Sequence, residues 1–393
     1  MRNTYIVASV RTAVGKAPQG TLRYMRADDM AAAAVRGAIA KLPALTPDHI
    51  EDVIIGCAMP EAEQGYNLGR VVAHRAGLPP SVPGMTVNRL CSSGLQTIAM
   101  AHQAISLGQA DVMVAGGAES MSLIPMGGDC WRPNPAMMAE TPQVYMSMGL
   151  TAENVAEQFE ISRAAQDAFS LRSHQKALNA IAAGRFTDEI IPLNVTNTGY
   201  QNGEVHTDET LFQIDEGPRS NTSLEALAAL PPVFRRGGSV TAGNSSQMSD
   251  GAAATILMSE DKLQELDLTP MARLLGFAVA GVPPQIMGIG PIEAVPKVLK
   301  QVGLSLGDIG LIELNEAFAS QSLAVIHKLG LNKDIINVNG GAIALGHPLG
   351  CSGAKLTATL LHEMKRRHIR YGMVTMCVGG GMGAAGVFEN LLL

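Results

Sequence analysis

Cys91 is the residue whose surroundings most favour nucleophilic chemistry. An extended segment leads up to it, the small residues 92–94 follow, and residues 97–108 have the spacing of an amphipathic helix. Free N–H groups and the dipole at a helix N-terminus favour negative charge. We therefore expect a thiol more acidic than free cysteine, whose pKa is about 8.5, and a ready thiolate nucleophile. The alternative is a small, buried, apolar cysteine.

Two further segments carry polar groups suited to assist such a nucleophile. Asn315 and Glu316 directly follow the apolar strand-like residues 309–314, where α/β sheets present functional groups. Asn315 could donate a hydrogen bond or hold a water molecule, or it could simply cap the next helix. His347 lies in the glycine-rich residues 339–351, where the backbone can approach a ligand closely. A neutral imidazole is a suitable general base, although a lone histidine often has no catalytic role.

A second thiol ends another apolar strand. Cys377 is followed by Gly379 and further glycines up to residue 383, whose N–H groups lack side-chain cover and could form an oxyanion hole. No Gly-Lys-Ser/Thr follows, which excludes a phosphate-binding P-loop.

An internal repeat predicts the elements that position these residues. Strand-like residues 50–56 and 309–314 are each followed by a helical segment ending in similar residues, 74–78 and 327–331. Cysteine-led helices then begin at residues 91 and 351 and lead to apolar strands at 111–117 and 373–379. Alternating strands and helices favour mixed or mostly parallel sheets covered by helices on both faces. The sequence thus predicts a duplicated α/β half.

An insert separates the two halves. It contains a strongly helical stretch, residues 151–183, and a polar section, residues 194–221. We predict an N-terminal half at 1–118 plus 244–268, an inserted loop domain at 119–243, and a C-terminal half at 269–393. The insert is either a substrate-covering element or an oligomerising one.

Composition excludes several classes of function. With 393 residues and a net charge of −6, the chain is not built to bind nucleic acid or an anionic membrane surface. Charged residues make up only 16%, which favours extra surface buried between subunits of a homo-oligomer. The five cysteines show no metal-ligand spacing and favour a reducing, cytoplasmic compartment. The N-terminus reads as a strand rather than a signal peptide, and glycines interrupt the uncharged run 372–388, so we expect no membrane insertion.

Four of these segments resemble the signature blocks of the thiolase family. They are residues 88–94, 315–318, 346–350 and 377–383, which occur in the family's order. Residues 148–154 and 241–246 of the insert region are also similar, so the resemblance covers essentially the whole chain. It implies an α/β fold of duplicated βαβαβαββ halves, layered α-β-α-β-α, with an inserted loop domain.

The resemblance also implies an acyltransferase without a metal or other cofactor, using coenzyme A as substrate. Cys91 would attack the keto carbon of a 3-ketoacyl-CoA after His347 takes its proton, and Cys377 would protonate the departing acetyl-CoA. A second CoA, deprotonated by Cys377 or His347, would release the acyl group. One oxyanion hole would comprise His347 and a water held on Asn315; the other, the N–H groups of Cys91 and Gly379.

Contacts with substrate and with partner proteins follow from the same resemblance. Arg219 and Ser246 match positions that contact the nucleotide and pantetheine of CoA, and Met148 and Phe318 match residues lining the acyl and pantetheine channel. The family habit is a dimer or a dimer of dimers, in some members with a hydratase–dehydrogenase subunit.

The residue at position 147 bears on chain length. In the resemblance, acetoacetyl-CoA-specific biosynthetic members of the family have the sequence His-Met-Gly at the loop where this chain has Ser-Met-Gly, beginning at Ser147. Together with residues 121–127 and 132–135, this favours the degradative, broad-range branch of fatty-acid β-oxidation, with the biosynthetic branch as the alternative. Decarboxylating or acyl-carrier condensing enzymes would be expected to place two histidines where this chain has His347 and Cys377. A lipid carrier, or a structural oligomer with inert thiols, would not need Cys91, His347 and Cys377 together.

Overall fold

Strands and helices alternate along most of the chain, as the repeat predicts. The computed structural model describes residues 2–201 and 204–393; Met1, at the start of the predicted N-terminal strand, and residues 202–203 of the polar section lie outside the described residues. The strands are β1 (Thr4–Thr12), β2 (Gly15–Lys16), β3 (Asp52–Gly56), β4 (Gly84–Val87), β5 (Val112–Ser120), β6 (Ile190–Ile191), β7 (Leu193–Gln201), β8 (Glu204–Phe212), β9 (Ser249–Ser259), β10 (Ala272–Gly281), β11 (Leu311–Leu314), β12 (Tyr371–Val378) and β13 (Met382–Asn390).

The helices are distributed over both halves and the insert. They are α1 (Ala27–Ala40), α2 (Leu68–Arg75), α3 (Ser93–Ser106), α4 (Pro135–Glu140), α5 (Met148–Gln158), α6 (Arg163–Ala182), α7 (Leu224–Ala228), α8 (Glu260–Glu265), α9 (Gly290–Val302), α10 (Ala319–Leu329), α11 (Ala342–Leu345) and α12 (Leu349–Arg367). Short 3₁₀ turns occur at Pro47–His49, Ala62–Gln64, Leu90–Ser92, Pro142–Tyr145, Pro284–Ile289, Leu306–Asp308 and Lys333–Ile335.

Strand order confirms the duplication. The N-terminal half-sheet runs β4-β3-β5-β9-β1, and the C-terminal one runs β11-β12-β13-β10. An isolated parallel bridge from Ile336 to Ile312 stands where the first half has β4. Numbered by their place in each half, both sheets therefore have the order 3-2-4-5-1. In both, the second strand is parallel to its neighbours and the fifth is antiparallel to the strands beside it.

The two half-sheets meet at an edge. The first strands of the two halves, β1 and β10, pair antiparallel at Ile6 and Ala272, so the half-sheets form one continuous sheet. Each strand thereby covers backbone groups that the other would leave unpaired at a sheet edge.

Helices cover this bent sheet in layers, which confirms the predicted α-β-α-β-α arrangement. Helices α1 and α2 pack on the outer face of the N-terminal half-sheet, over a core that includes Val35 and Val72. Helices α3 and α12 lie between the half-sheets and pack against each other. Helices α9 and α10 cover the outer face of the C-terminal half-sheet.

Glycines allow the two central helices to touch at their N-termini. A Cβ at Gly94 would lie 2.6 Å from the backbone nitrogen of Ala354, and one at Gly353 would overlap the backbone nitrogen of Leu95. Any larger residue would push α3 and α12 apart. The segments that precede these helices, which carry Cys91 and His347, are therefore held close together.

The insert is tied to the first half by buried charge. Arg11 of β1 contacts Glu189 at 2.6 Å and Asp215 at 2.7 Å, all three side chains being buried.

The predicted helical stretch 151–183 is two helices rather than one, because the chain turns at Glu160, whose φ is +53°. Strand β5 ends at Ser120 and β9 begins at Ser249. The three-part domain division remains a proposal.

The long uncharged run near the C-terminus is a strand pair. Residues 372–388 fall almost entirely in β12 and β13. Within residues 2–201 and 204–393, no helix is long and apolar enough to cross a membrane.

The contact between α3 and α12 can be tested with one methyl group. Gly353→Ala should lower the free energy of unfolding by about 2–3 kcal/mol, because the added Cβ overlaps backbone that cannot move aside. Gly307→Ala is the matched control, since its Cβ would meet only Ser305 Oγ at 3.6 Å. Urea unfolding followed by circular dichroism measures both; equal stability of the two variants would contradict the packing described.

Candidate active site

Cys91 lies in a turn that side chains hold in place. The turn joins β4 to α3, and its first residue, Leu90, has a left-handed φ of +44°. Asn88 Oδ1 accepts from the Leu90 N–H at 2.8 Å, and Ser93 Oγ donates to the Leu90 carbonyl at 2.7 Å. Cys91 therefore lies in the 3₁₀ turn directly before α3, two residues ahead of the first helical residue, Ser93, and close to where its sequence context predicts it.

The Cys91 thiol is buried, which reverses one expectation. Burial raises the pKa of Cys91 to about 11, although the N–H groups of Gly379 and of Cys91 itself lower it. The charge of Glu119 raises it further. The prediction of an acidified thiol is wrong, because the loss of hydration outweighs the helix N-terminus. Cys91 rests as a thiol, and a base must remove its proton.

His347 is held on both ring nitrogens and at its backbone. Its Nε2 lies 3.2 Å from Asn315 Nδ2, and its Nδ1 lies 2.5 Å from Ser352 Oγ. The backbone N–H of His347 donates to Ser249 Oγ and to the Gln247 carbonyl, both at 3.1 Å. Burial, and after it the charge of Lys355 on α12, lowers the pKa of His347 to about 3. The imidazole is therefore neutral, as a general base requires.

Asn315 is presented by a braced strand end. Asn337 accepts from the Leu314 N–H at 2.9 Å and donates to the Leu314 carbonyl at 2.8 Å. It also donates to Glu316, which is buried and accepts from Ser173 Oγ at 2.6 Å. Helix α10 begins at Ala319 with Phe318 as its N-cap residue. Asn315 therefore points to His347 and does not cap the helix.

Cys377 and Gly379 complete this centre from the end of β12. Burial raises the pKa of Cys377 well above its usual range, and a negative charge on the nearby Cys91 would raise it further. Cys377 packs in one small cluster with Met148 and Phe318. A Cβ at Gly379 would lie 3.6 Å from Met148 Sδ, and the Gly379 N–H faces Cys91. Cys91 of the first half therefore lies near Cys377 and Gly379 of the second. Asn315 contacts His347, which lies two residues before Leu349, a member of the apolar cluster around Cys91.

The residues assigned to CoA lie further out. Arg219 lines a cleft of about 220 Å³ with His174 and Gln247, and the backbone N–H of Arg219 donates to His174 Nδ1 at 3.2 Å. The N–H of Ser246 donates to the Ala317 carbonyl at 2.9 Å, directly beside Phe318. Arg219 therefore stands apart from the two thiols, whereas Ser246 borders the cluster around Cys377.

Two buried residues at the site were missed by sequence reasoning. The Glu119 carboxylate accepts from the N–H groups of Ala58 and Gly350, both at 2.7 Å, and so joins the end of β3 to the start of α12. A carboxylate ending an apolar strand was the available signal. For Ser352, which contacts His347, the sequence offers no indication of a role beyond its place in the first turn of α12, five residues after His347. Among the described residues, no group of three or more His, Cys, Asp or Glu side chains is placed to hold a metal ion.

The raised pKa of Cys91 predicts how its alkylation depends on pH. Because only the thiolate reacts, the rate in the resting protein should rise about tenfold per pH unit from pH 7 to 10. Iodoacetamide labelling of the Cys91 peptide, followed by mass spectrometry, measures this rate. The experiment is carried out in the Cys130→Ser variant, which lacks the exposed cysteine. A plateau below pH 8 would instead indicate a resident thiolate.

Known sequence families match the two halves separately. The family model described as "Thiolase, N-terminal domain" matches residues 4–261, and the one described as "Thiolase, C-terminal domain" matches residues 268–390.

Individual relatives match over their full length. A 3-ketoacyl-CoA thiolase of Bacillus subtilis (strain 168) is 55% identical over 392 residues, covering 99% of this chain and 100% of that protein. The crystal structure of the Bacillus anthracis acetyl-CoA acetyltransferase superposes with a TM-score of 0.89 at 41% identity, covering 100% of this chain and 99% of that one. Human mitochondrial 3-ketoacyl-CoA thiolase in complex with CoA gives 0.88 at 40%, covering 99% and 98%. With both half-domains matched and the duplicated fold in place, the chain belongs to the thiolase family of acyltransferases.

Proposed function

We propose that the protein is a 3-ketoacyl-CoA thiolase, which cleaves 3-ketoacyl-CoA with CoA to acetyl-CoA and a shortened acyl-CoA. The observation that carries this proposal is that two buried thiols, Cys91 and Cys377, lie near each other, and that the neutral imidazole of His347 lies two residues from Leu349, which packs with Cys91. Carbon–carbon cleavage of a 3-ketoacyl thioester needs a nucleophile, a base and a separate acid at carbon. Relatives named 3-ketoacyl-CoA thiolase support the substrate class.

In the first half-reaction, Cys91 Sγ attacks the keto carbon while His347 Nε2 takes the thiol proton. The bond between Cα and Cβ then breaks, and its electron pair passes to the acetyl-CoA carbon. Cys377 donates its proton to that carbon, releasing acetyl-CoA and leaving an acyl thioester on Cys91. The raised pKa of Cys377 suits this role, because it keeps the thiol protonated until the carbanion forms.

Two oxyanion holes would lower the barriers of this step. The N–H groups of Cys91 and Gly379 would bind one oxygen; the Gly379 N–H already faces the Cys91 thiol. His347, once protonated on Nε2, and a water held on Asn315 would bind the other. Loss of one such donor typically raises a barrier by about 3 kcal/mol.

In the second half-reaction, a CoA thiol replaces the released acetyl-CoA. Cys377, left as a thiolate, takes its proton, or His347 does so after passing its own proton to Cys377. The CoA sulfur attacks the acyl carbonyl, the bond from the acyl carbon to Cys91 Sγ breaks, and His347 returns a proton to Cys91. Arg219 and Ser246 would contact the nucleotide and pantetheine, and Met148 and Phe318 would line the channel to the thiols. The cluster of Met148 and Phe318 with Cys377 supports the inner assignments.

The degradative, broad-range activity of fatty-acid β-oxidation is the proposed subtype. Ser147, in place of the histidine expected of acetoacetyl-CoA-specific members, supports it. The alternative is condensation of two acetyl-CoA to acetoacetyl-CoA, and the similar Bacillus anthracis acetyl-CoA acetyltransferase structure favours it.

Self-association is part of the proposal, as a dimer or a dimer of dimers. Strand β4 ends the sheet path in the described part of the chain, so one row of its backbone groups is available for pairing. Its Met85 side chain is exposed. A hydratase–dehydrogenase subunit is a further proposed partner. Five free cysteines support a reducing, cytoplasmic setting.

Chain length separates the two proposed subtypes. Thiolysis measured with 3-ketoacyl-CoA substrates of increasing length should give a higher kcat/KM for longer chains than for acetoacetyl-CoA. Activity confined to acetoacetyl-CoA would select the biosynthetic alternative.

Cys91→Ser should abolish turnover while leaving the circular dichroism spectrum unchanged; normal thiolysis by this variant would refute the covalent scheme.

The second thiol can be tested apart from the first. Cys377→Ala should slow condensation of acetyl-CoA by about 10²–10⁴-fold, because no acid–base group remains at the carbon. It should still allow acetylation of Cys91, seen as a mass increase of the Cys91 peptide. Cys351→Ala, which alters another buried cysteine, should retain condensation within a few-fold. Equal and small losses in both variants would remove Cys377 from the mechanism.

A further inference from the structure

We propose that Ser352 is a positioning residue that fixes the tautomer of His347, so that Nε2 carries the lone pair that accepts the proton of Cys91. The kinetic part of this inference rests on the proposed function. The tautomer itself is a property of the resting protein, and it can be measured without turnover.

The hydrogen bonds around the ring determine which nitrogen carries the hydrogen. Asn315 Nδ2 lies 3.2 Å from His347 Nε2, and an amide nitrogen can only donate. Nε2 therefore accepts, and in a neutral imidazole the hydrogen must be on Nδ1. Nδ1–H then donates to Ser352 Oγ at 2.5 Å. The serine's own hydrogen goes to the Pro348 carbonyl at 2.8 Å.

Both ends of this chain of hydrogen bonds are fixed to backbone. Ser352 is buried on α12, and its N–H also donates to the Pro348 carbonyl, at 2.9 Å. The backbone N–H of His347 is bound by Ser249 Oγ and the Gln247 carbonyl. Neither the serine oxygen nor the ring can rotate away without breaking a buried hydrogen bond. The tautomer is thus built into the start of α12.

The same tautomer serves both roles of Nε2. While the Nδ1–H group of His347 keeps its hydrogen bond to Ser352, Nε2 can give up its hydrogen bond from Asn315 and accept the proton of Cys91 instead. Once protonated, it becomes a donor to a substrate oxygen. In the opposite tautomer, the lone pair would face Ser352 and Nε2 could remove no proton. A serine hydroxyl suits this position because it can accept from Nδ1 and donate to Pro348 at once.

Nitrogen-15 spectra of histidine-labelled protein test the tautomer directly, with the His347 signals assigned by their loss in His347→Ala. The wild-type protein should show a protonated Nδ1 and an unprotonated Nε2. Ser352→Ala should shift the population toward Nε2–H, because Nδ1–H loses its acceptor while Asn315 can turn its amide oxygen toward Nε2. Ser352→Thr should retain the wild-type pattern. Thr357 already makes the corresponding hydroxyl-to-carbonyl bond in α12, at 2.8 Å to Gly353. A wild-type protein with Nε2–H, or no change in Ser352→Ala, would overturn the proposal.

Kinetics separate positioning from a loss of packing. Ser352→Ala should lower kcat about 10–100-fold with KM within twofold, and Ser352→Thr should restore it. The matched control is Ser170→Ala, which removes another buried helical hydroxyl, bonded to the Gln166 carbonyl at 2.9 Å. If both alanine variants lose kcat in proportion to their melting temperatures, Ser352 is only structural. If the wild type lacks thiolase activity, the proposed function fails, while the spectra still decide the tautomer.

Discussion

The close approach of α3 and α12 is the constraint on which the rest of the structure depends. The helices between the two half-sheets touch at their N-termini, which brings together the segments that carry Cys91 and His347. Glycines at positions 94 and 353 make that contact possible. The buried Glu119 carboxylate reinforces it, since it accepts from Ala58 at the end of β3 and from Gly350 in α12.

Burial that comes with this packing sets the chemistry of the site. The pKa of Cys91 is raised to about 11 and that of His347 is lowered to about 3. Transfer of a proton from the Cys91 thiol to the His347 imidazole is then unfavourable in the resting protein, because burial opposes the charged form of both groups. A standing thiolate–imidazolium pair is therefore disfavoured. Under the proposed mechanism, proton transfer accompanies attack on the substrate, whose developing charge the N–H groups of Cys91 and Gly379 would share.

Local sequence predicted the fold and the candidate residues, but not their energetics. The repeat predicted the duplicated halves, and strand-end positions predicted where Asn315 and Cys377 lie. Two features escaped because they depend on tertiary contacts: the edge pairing of β1 with β10, and the near loss of a third strand around Ile336. The acidity of Cys91 was misjudged because a helix N-terminus can be read from sequence, whereas the loss of hydration around a thiol cannot.

The duplicated halves use the same position in different ways. In the first half, the turn Leu90–Ser92 precedes α3, and the left-handed Leu90 keeps Cys91 outside the helix, facing Gly379. In the second half, α12 begins two residues before the matching Cys351, which is buried in the core between the half-sheets. The earlier start of α12 places Cys351 inside the helix, whereas His347 precedes the helix and contacts Asn315. A small difference in where a helix begins therefore gives two equivalent cysteines different surroundings, and only Cys91 takes the place of a nucleophile in the proposed mechanism.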